Sequence, residues 1–105
     1  MAERRAAPRY PLILGAEVLD VASGAKLIAR TADVSRTGCY LDTLNSIPPG
    51  SKIHVRLQHE AEVFEADGRV IYISPGLGMG IAFTSNTPGQ LAILDRWLSV
   101  AANTK

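Results

Sequence analysis

SKIHVRL, residues 51–57, alternates polar and apolar side chains from Lys52 to Leu57. Successive side chains of an extended strand point to opposite faces, so this stretch predicts a β-strand with one face in a core and the other in water. The core-facing positions are Ile53, Val55 and Leu57. The run that follows, EVFEADGRVIYIS (62–74), predicts a longer strand, and Gly68 in its middle indicates a bulge or bend of the kind that a closing sheet uses.

Short runs rich in branched side chains continue on both sides of this pair, each bounded by turn signals. The turn signals are VASG, DVSRTG, NSIPPG and SPGLG. The runs are LILGAEVLD (12–20), KLIARTADV (26–34), CYLDTL (39–44) and GMGIAFT (78–84). Six short antiparallel strands at this spacing predict an all-β fold, and we expect residues 11–84 to close into a small β-barrel.

The hydrophobic period changes after the last strand, where residues 87–101 predict one C-terminal α-helix. Thr87 suits the N-cap position, and Gln90 completes a capping box. The apolar stripe of this helix consists of Leu91, Leu94, Leu98 and Ala101. Trp97 flanks the stripe, and burying a Trp removes roughly 150–250 Å² from water. Trp97 is therefore the expected anchor of the helix, on the chain's own barrel or across a homodimer.

The composition is that of an ordinary globular domain, with 105 residues, 47% hydrophobic residues and a net charge of +1. We expect one core and one domain over residues 1–105. The near-neutral charge argues against binding to DNA or to an anionic membrane. The sequence has no run of about 18 apolar residues and starts without a secretory signal, and its single cysteine, Cys39, fits a reducing compartment. We therefore expect a cytoplasmic protein.

The N-terminal segment, residues 1–10, has neither the alternation of a strand nor the apolar stripe of a helix, which predicts a flexible arm. It carries Arg4, Arg5 and Arg9, and the last two form an RxxxR pattern. Two arginines at this spacing are common in solvated basic tails, so the pattern alone does not indicate a binding site.

A second pattern, DxSxxG, begins 24 residues after Arg9 and is formed by Asp33, Ser35 and Gly38. In isolation it is also typical of a simple turn, in which Asp and Ser side chains bond to their own backbone.

Together the two patterns resemble the signature of the PilZ domain family, in which members that carry both motifs bind cyclic di-GMP. The resemblance covers nearly the whole chain, because the arm, the barrel, the glycine-containing late strand GLGMGIAF (76–83) and the terminal helix follow in the same order. It implies a six-stranded PilZ-type barrel and a second-messenger receptor without enzymatic activity. The ligand-binding residues that it implies are Arg4, Arg5, Arg9, Asp33, Ser35, Gly38 and Gly80.

The chemistry of these side chains agrees with that implication. A guanidinium can clamp a phosphate, pair with guanine O6 and N7, or stack on a purine. Ionised Asp33 only accepts hydrogen bonds, so it suits the N1 and N2 donors of guanine and would repel phosphate. Ser35 can both donate and accept, and Gly38 would allow an unusual backbone conformation or a close approach to the ligand. Some family members bind one ligand molecule and others a stacked pair, and Arg4 would serve the second guanine or phosphate of a pair.

The expected output is ordering of the arm over the bound ligand, which would offer a downstream protein a surface that the ligand-free protein lacks. The resemblance does not identify the downstream protein. No cofactor other than the ligand is expected. A PilZ-like adaptor that has lost ligand binding is an alternative, although such members lack the arginines.

Catalysis and metal binding are poorly supported by the sequence. Cys39 could act as a nucleophile with His54 or His59 as base, but it lies within an apolar strand, where an inert buried thiol is more common. The spacing of the two histidines along a strand and the lack of a second cysteine argue against a zinc site.

A barrel that binds single-stranded RNA is a further alternative, and it would require aromatic platforms along one groove. The six aromatic residues look scattered along the sequence rather than paired. They are Tyr10, Tyr40, Phe64, Tyr72, Phe83 and Trp97.

Overall fold

The computed structural model describes residues 8–103, and in this range it contains six β-strands and one α-helix. The strands are β1 (Gly15–Asp20), β2 (Lys26–Val34), β3 (Gly38–Asp42), β4 (Lys52–His59), β5 (Glu62–Ser74) and β6 (Gly78–Ser85), and the helix is α1 (Pro88–Asn103). Each strand pairs antiparallel with its neighbours in the order β1-β2-β3-β6-β5-β4, and β4 pairs with β1 to close the barrel. The predicted all-β barrel with one C-terminal helix is confirmed.

The inward-facing residues of the strands form the core, as the alternation of SKIHVRL predicts. Ile53, Val55 and Leu57 are no more than 1% exposed, and Phe64 and Met79 face them from β5 and β6 with no exposed surface. Full burial of one such side chain stabilises the folded state by about 1.5–3 kcal/mol. The barrel interior is therefore a packed hydrophobic core.

The long strand β5 bends where the sequence predicts it. The pairing of β5 with β6 shifts register between Asp67 and Gly68, and again between Val70 and Tyr72. A side chain at Gly68 would approach the carbonyl oxygen of Ala82 to 2.8 Å, so the two strands can come this close only because residue 68 is glycine. The bend at Gly68 is confirmed.

The helix begins with the predicted N-cap but without the predicted capping box. The Thr87 hydroxyl oxygen accepts a hydrogen bond from the backbone N–H of Gln90 at 3.2 Å. The side chain of Gln90 instead accepts the backbone N–H of Glu65 at 2.7 Å. The pairing of β5 with β6 ends at Asp67, so Glu65 has no partner on β6. The side chain of Gln90 takes the place of that partner. The helix also extends two residues beyond the predicted end, to Asn103.

Trp97 anchors the helix on the chain's own barrel. It is 4% exposed, and its indole N–H donates to Glu62 at 2.9 Å. The ring of His59 meets the indole edge-on at a centroid distance of 5.6 Å. Arg96 forms an ion pair with the other oxygen of Glu62. Within residues 8–103, no helix has the length and apolar character needed to span a membrane.

Candidate functional site

The described residues include five of the seven predicted site residues. Arg4 and Arg5 lie outside residues 8–103, so the structure describes only one arginine of the RxxxR pattern. The remaining predicted residues are Arg9, Asp33, Ser35, Gly38 and Gly80.

A short backbone bridge brings Arg9 to Asp33. Tyr10 pairs antiparallel with Val34 at the end of β2, and each backbone N–H of the pair donates to the other's carbonyl oxygen at 2.9 Å. In this antiparallel bridge Arg9 is opposite Ser35, so Arg9 and Asp33 are diagonal neighbours that point to the same face, and the long side chain of Arg9 reaches the Asp33 carboxylate. The arm expected over residues 1–10 is thus attached to the barrel at its last residue.

Arg9 and Asp33 form a two-contact ion pair. The Nε and one terminal nitrogen of Arg9 both approach Oδ1 of Asp33, at 3.0 Å and 2.8 Å. The side chains are 49% and 33% exposed, so a ligand can reach them from solvent. Neutralisation by Arg9 removes the repulsion that an isolated carboxylate would exert on a phosphate group. The pair can therefore admit an anionic ligand that also carries hydrogen-bond donors.

Ser35 fastens the turn between β2 and β3. Its hydroxyl oxygen accepts the backbone N–H groups of Thr37 and Gly38, each at 3.2 Å, and also contacts the carbonyl oxygen of Gly38 at 3.2 Å. The side chain is 1% exposed. Ser35 thus stabilises a turn in the described structure, which is the alternative interpretation of the DxSxxG pattern.

Gly38 is required for strand packing. A side chain at this position would collide with the backbone carbonyl of Ile81 on β6. The φ angle of Gly38 is not positive, so the expected unusual conformation is absent at this residue, and the close approach is to β6. Gly38 acts by letting the strand that follows Asp33 lie close to β6.

Gly80 lies in the same cross-strand row as Asp33, but it is covered. Asp33 pairs with Tyr40 on β3, Tyr40 with Gly80 on β6, and Gly80 with Tyr72 on β5. Directly opposed residues of a sheet point to the same face. The ring of Tyr72 occupies the space in which a side chain of Gly80 would lie. Tyr72, rather than Gly80, therefore forms the surface at this position.

Tyr40 and Tyr72 form a pair in the structure, so the expectation that the aromatic residues are scattered rather than paired is wrong for these two. Their ring centroids are 6.1 Å apart and their planes are inclined by 31°. The ring of Tyr40 lies over Gly78 as that of Tyr72 lies over Gly80. The alternate glycines of GLGMGIAF were the available signal, because glycines on one face of a strand leave room for aromatic rings from the neighbouring strands.

Arg36, within the turn of the second motif, connects that turn to the helix. Its Nε donates to one carboxylate oxygen of Asp95 at 2.9 Å, and a terminal nitrogen donates to the other at 3.4 Å. A cavity of about 210 Å³ lies beside this pair, and its lining includes Pro8, Tyr10 and Leu98. The arm, the turn and the helix thus meet at one end of the barrel.

Cys39 does not have the properties of a nucleophile. The side chain has no exposed surface, and burial raises the pKa of its thiol to about 12. A thiol with such a pKa is protonated at neutral pH, whereas the thiolate is the reactive form. Among residues 8–103, no group of three or more His, Cys, Asp or Glu side chains is arranged to hold a metal ion.

Comparisons with solved structures show the same fold. Bacillus subtilis Inhibitor of motility, MotI/DgrA, matches 99% of this chain and 54% of its own with a TM-score of 0.79 and 16% identity. Escherichia coli YcgR in complex with c-di-GMP matches 93% of this chain and 46% of its own with a TM-score of 0.75 and 21% identity. The chain therefore spans about half the length of these two proteins.

The PilZ domain of CeSA from a cellulose-synthesizing bacterium matches 90% of this chain and 98% of its own, with a TM-score of 0.68 and 17% identity. No curated protein sequence matches significantly. The family model of the PilZ domain matches residues 3–99, which include both sequence motifs, the barrel and most of the helix. The chain belongs to the PilZ domain family.

Proposed function

We propose that this chain is a receptor that binds cyclic di-GMP on the outer wall of the barrel around Asp33. The observation that carries the proposal is the ion pair of Arg9 and Asp33, which joins the two motifs across 24 residues of sequence. The structure of YcgR, a relative in fold, contains this dinucleotide and supports the choice of ligand.

In this proposal the two side chains divide the recognition of the dinucleotide. Both Arg9 contacts go to Oδ1, so Oδ2 of Asp33 accepts the N1 or N2 donors of a guanine. Arg9 pairs with a phosphate or with guanine O6 and N7. Arg5 adds a second guanidinium from the arm, and Arg4 takes part if two ligand molecules bind. The protein binds the dinucleotide without converting it.

Binding would be transmitted through the end of the barrel where the arm and helix meet. Arg36 lies in the same turn as the proposed site and holds Asp95 of α1. A ligand phosphate would compete with Asp95 for this guanidinium, and an arm that closes over the ligand would offer a new surface. A downstream protein would recognise the combined surface of arm and helix.

Calorimetric titration with cyclic di-GMP tests the proposal, with GTP and cyclic AMP as control ligands. We expect the wild type to bind only cyclic di-GMP, at about micromolar Kd or tighter, and Arg9→Ala and Asp33→Ala to weaken binding at least about tenfold. Arg30→Ala is the matched control, because Arg30 is an exposed arginine of the same strand outside both motifs. The measured stoichiometry shows whether one or two ligand molecules bind.

A folded wild type that binds none of the three nucleotides would contradict the receptor proposal. Such a protein would instead fit an adaptor that acts only through protein contacts. Equal losses in Arg9→Ala and Arg30→Ala would show that charge, rather than the ion pair, controls binding.

A further inference from the structure

The outer wall of the barrel carries two tyrosines in a recess made by glycines. Tyr40 and Tyr72 lean over β6 from opposite sides, above Gly78 and Gly80, and their rings are nearly side by side. Tyr72 is 44% exposed although its ring rests on the sheet. An aromatic ring that is supported from below and open above is a surface on which a flat base can stack.

The cross-strand register connects this pair directly to the proposed site. Tyr40 is the partner of Asp33, and Tyr72 lies two strands further along the same row. Neighbouring strands are about 4.8 Å apart, so Tyr40 is next to the carboxylate and Tyr72 is within reach of a dinucleotide held there. A guanine whose edge meets Asp33 therefore lies over the tyrosines.

The adjacent row on this face suits the phosphates of such a ligand. It consists of Gly38, Ala82, Arg69 and Lys52. The first two lack long side chains, so the floor beside the rings is flat. Arg69 is exposed and donates a hydrogen bond to the carbonyl oxygen of Gly50 at 3.1 Å, and its positive charge would attract a ligand phosphate.

We propose that Tyr40 and Tyr72, here called the tyrosine platform, stack against the guanines of the ligand and contribute to its affinity. The inference rests on the proposed binding of cyclic di-GMP, and it adds a recognition element that neither sequence motif contains. Asp33 accepts hydrogen bonds from the edge of the guanine, and the tyrosine platform stacks against the face of the guanine.

Two substitutions at Tyr72 separate stacking from packing. Tyr72→Phe keeps the aromatic ring, whereas Tyr72→Leu keeps an apolar cover over Gly80 but removes the ring. By calorimetry we expect Tyr72→Phe to bind cyclic di-GMP within about twofold of the wild type, and Tyr72→Leu to bind about tenfold more weakly. Thermal unfolding of both variants checks that the barrel remains folded.

Proton NMR of the ligand supplies a readout that packing alone would not change. Stacking on a tyrosine face shifts the guanine H8 resonance upfield, and we expect this shift with the wild type and Tyr72→Phe but much less of it with Tyr72→Leu. Wild-type affinity in Tyr72→Leu, or no H8 shift with the wild type, would overturn the platform. If Arg9→Ala still abolishes binding, the receptor proposal survives that result, whereas a wild type that binds no cyclic di-GMP overturns both.

Discussion

Asp33 shows how one side chain can serve a ligand with both donors and negative charge. Its carboxylate would repel phosphates, but the guanidinium of Arg9 lies 2.8 Å from Oδ1. Because both groups are partly exposed, the net free energy of this ion pair in the ligand-free protein is about 1 kcal/mol or less. A ligand can therefore rearrange the pair at small cost, whereas a buried pair would resist rearrangement.

Gly38 gives a prediction about stability at the residue scale. Gly38→Ala would place a methyl group against the backbone carbonyl of Ile81, and backbone cannot move aside as a side chain can. We expect the free energy of unfolding to fall by about 2 kcal/mol, as measured by urea denaturation. Gly15→Ala is the matched control, because a methyl group there meets no atom within 4 Å. Equal stability of the two variants would contradict this account of Gly38.

At the scale of elements, β4 and β5 are joined by a charged cluster on their outer face. His54 places Nδ1 3.1 Å from Asp67 and Nε2 2.8 Å from Glu65. Hydrogen bonds to Glu65 and then to Asp67 raise the pKa of His54. The hydrogen bond to His54 is the largest of the effects that lower the pKa of Glu65.

This cluster predicts a pH dependence of stability. A raised pKa in the folded state means that His54 stabilises the fold fully below its ordinary pKa of about 6.5, and that the contribution is lost as pH rises through the folded value. We therefore expect His54→Gln to lower the free energy of unfolding more at about pH 5.5 than at about pH 9, by less than about 1 kcal/mol because the cluster is exposed. Urea denaturation at both values measures the difference.

The same comparison in a Glu65→Gln background identifies the partner. Glu65 is the largest cause of the raised pKa of His54, so its removal should reduce the pH effect. The lowered pKa of Glu65 has its effect in the acidic range. The contribution of Glu65 to the free energy of unfolding is present above its ordinary pKa and is lost as pH falls through its pKa in the folded protein. An effect of His54→Gln that does not change with pH would contradict the cluster's role.

The elements also show what sequence patterns can and cannot predict. Ile53, Val55 and Leu57 are predictable because alternation along one strand depends only on neighbouring residues. The hydrogen bond that the backbone N–H of Glu65 donates to Gln90 and the pairing of Tyr40 with Tyr72 depend on the register between distant segments, which a single sequence does not encode locally. For this reason the prediction of a capping box is wrong and the sequence does not predict the tyrosine platform, whereas the strands and the helix are predicted correctly.

At the scale of the whole molecule, the antiparallel topology gathers the functional segments at one end of the barrel. The segment before β1, the turn between β2 and β3, and the start of α1 after β6 all lie at this end. The bridge of Tyr10 with Val34 and the ion pair of Arg36 with Asp95 join these segments. A ligand bound near Asp33 would therefore contact the arm directly and the helix through one turn.

The location of the ligand is the central claim, and an NMR titration of the backbone amides with cyclic di-GMP tests it most directly. We predict that the largest shift changes occur at Asp33, Tyr40 and Tyr72, along one row of the outer wall, and at Arg9, which is ion-paired with Asp33. Smaller changes should follow at Asp95 on the helix. Changes centred on the groove between Leu12 and Trp97, with Arg9 and Asp33 unaffected, would contradict the account.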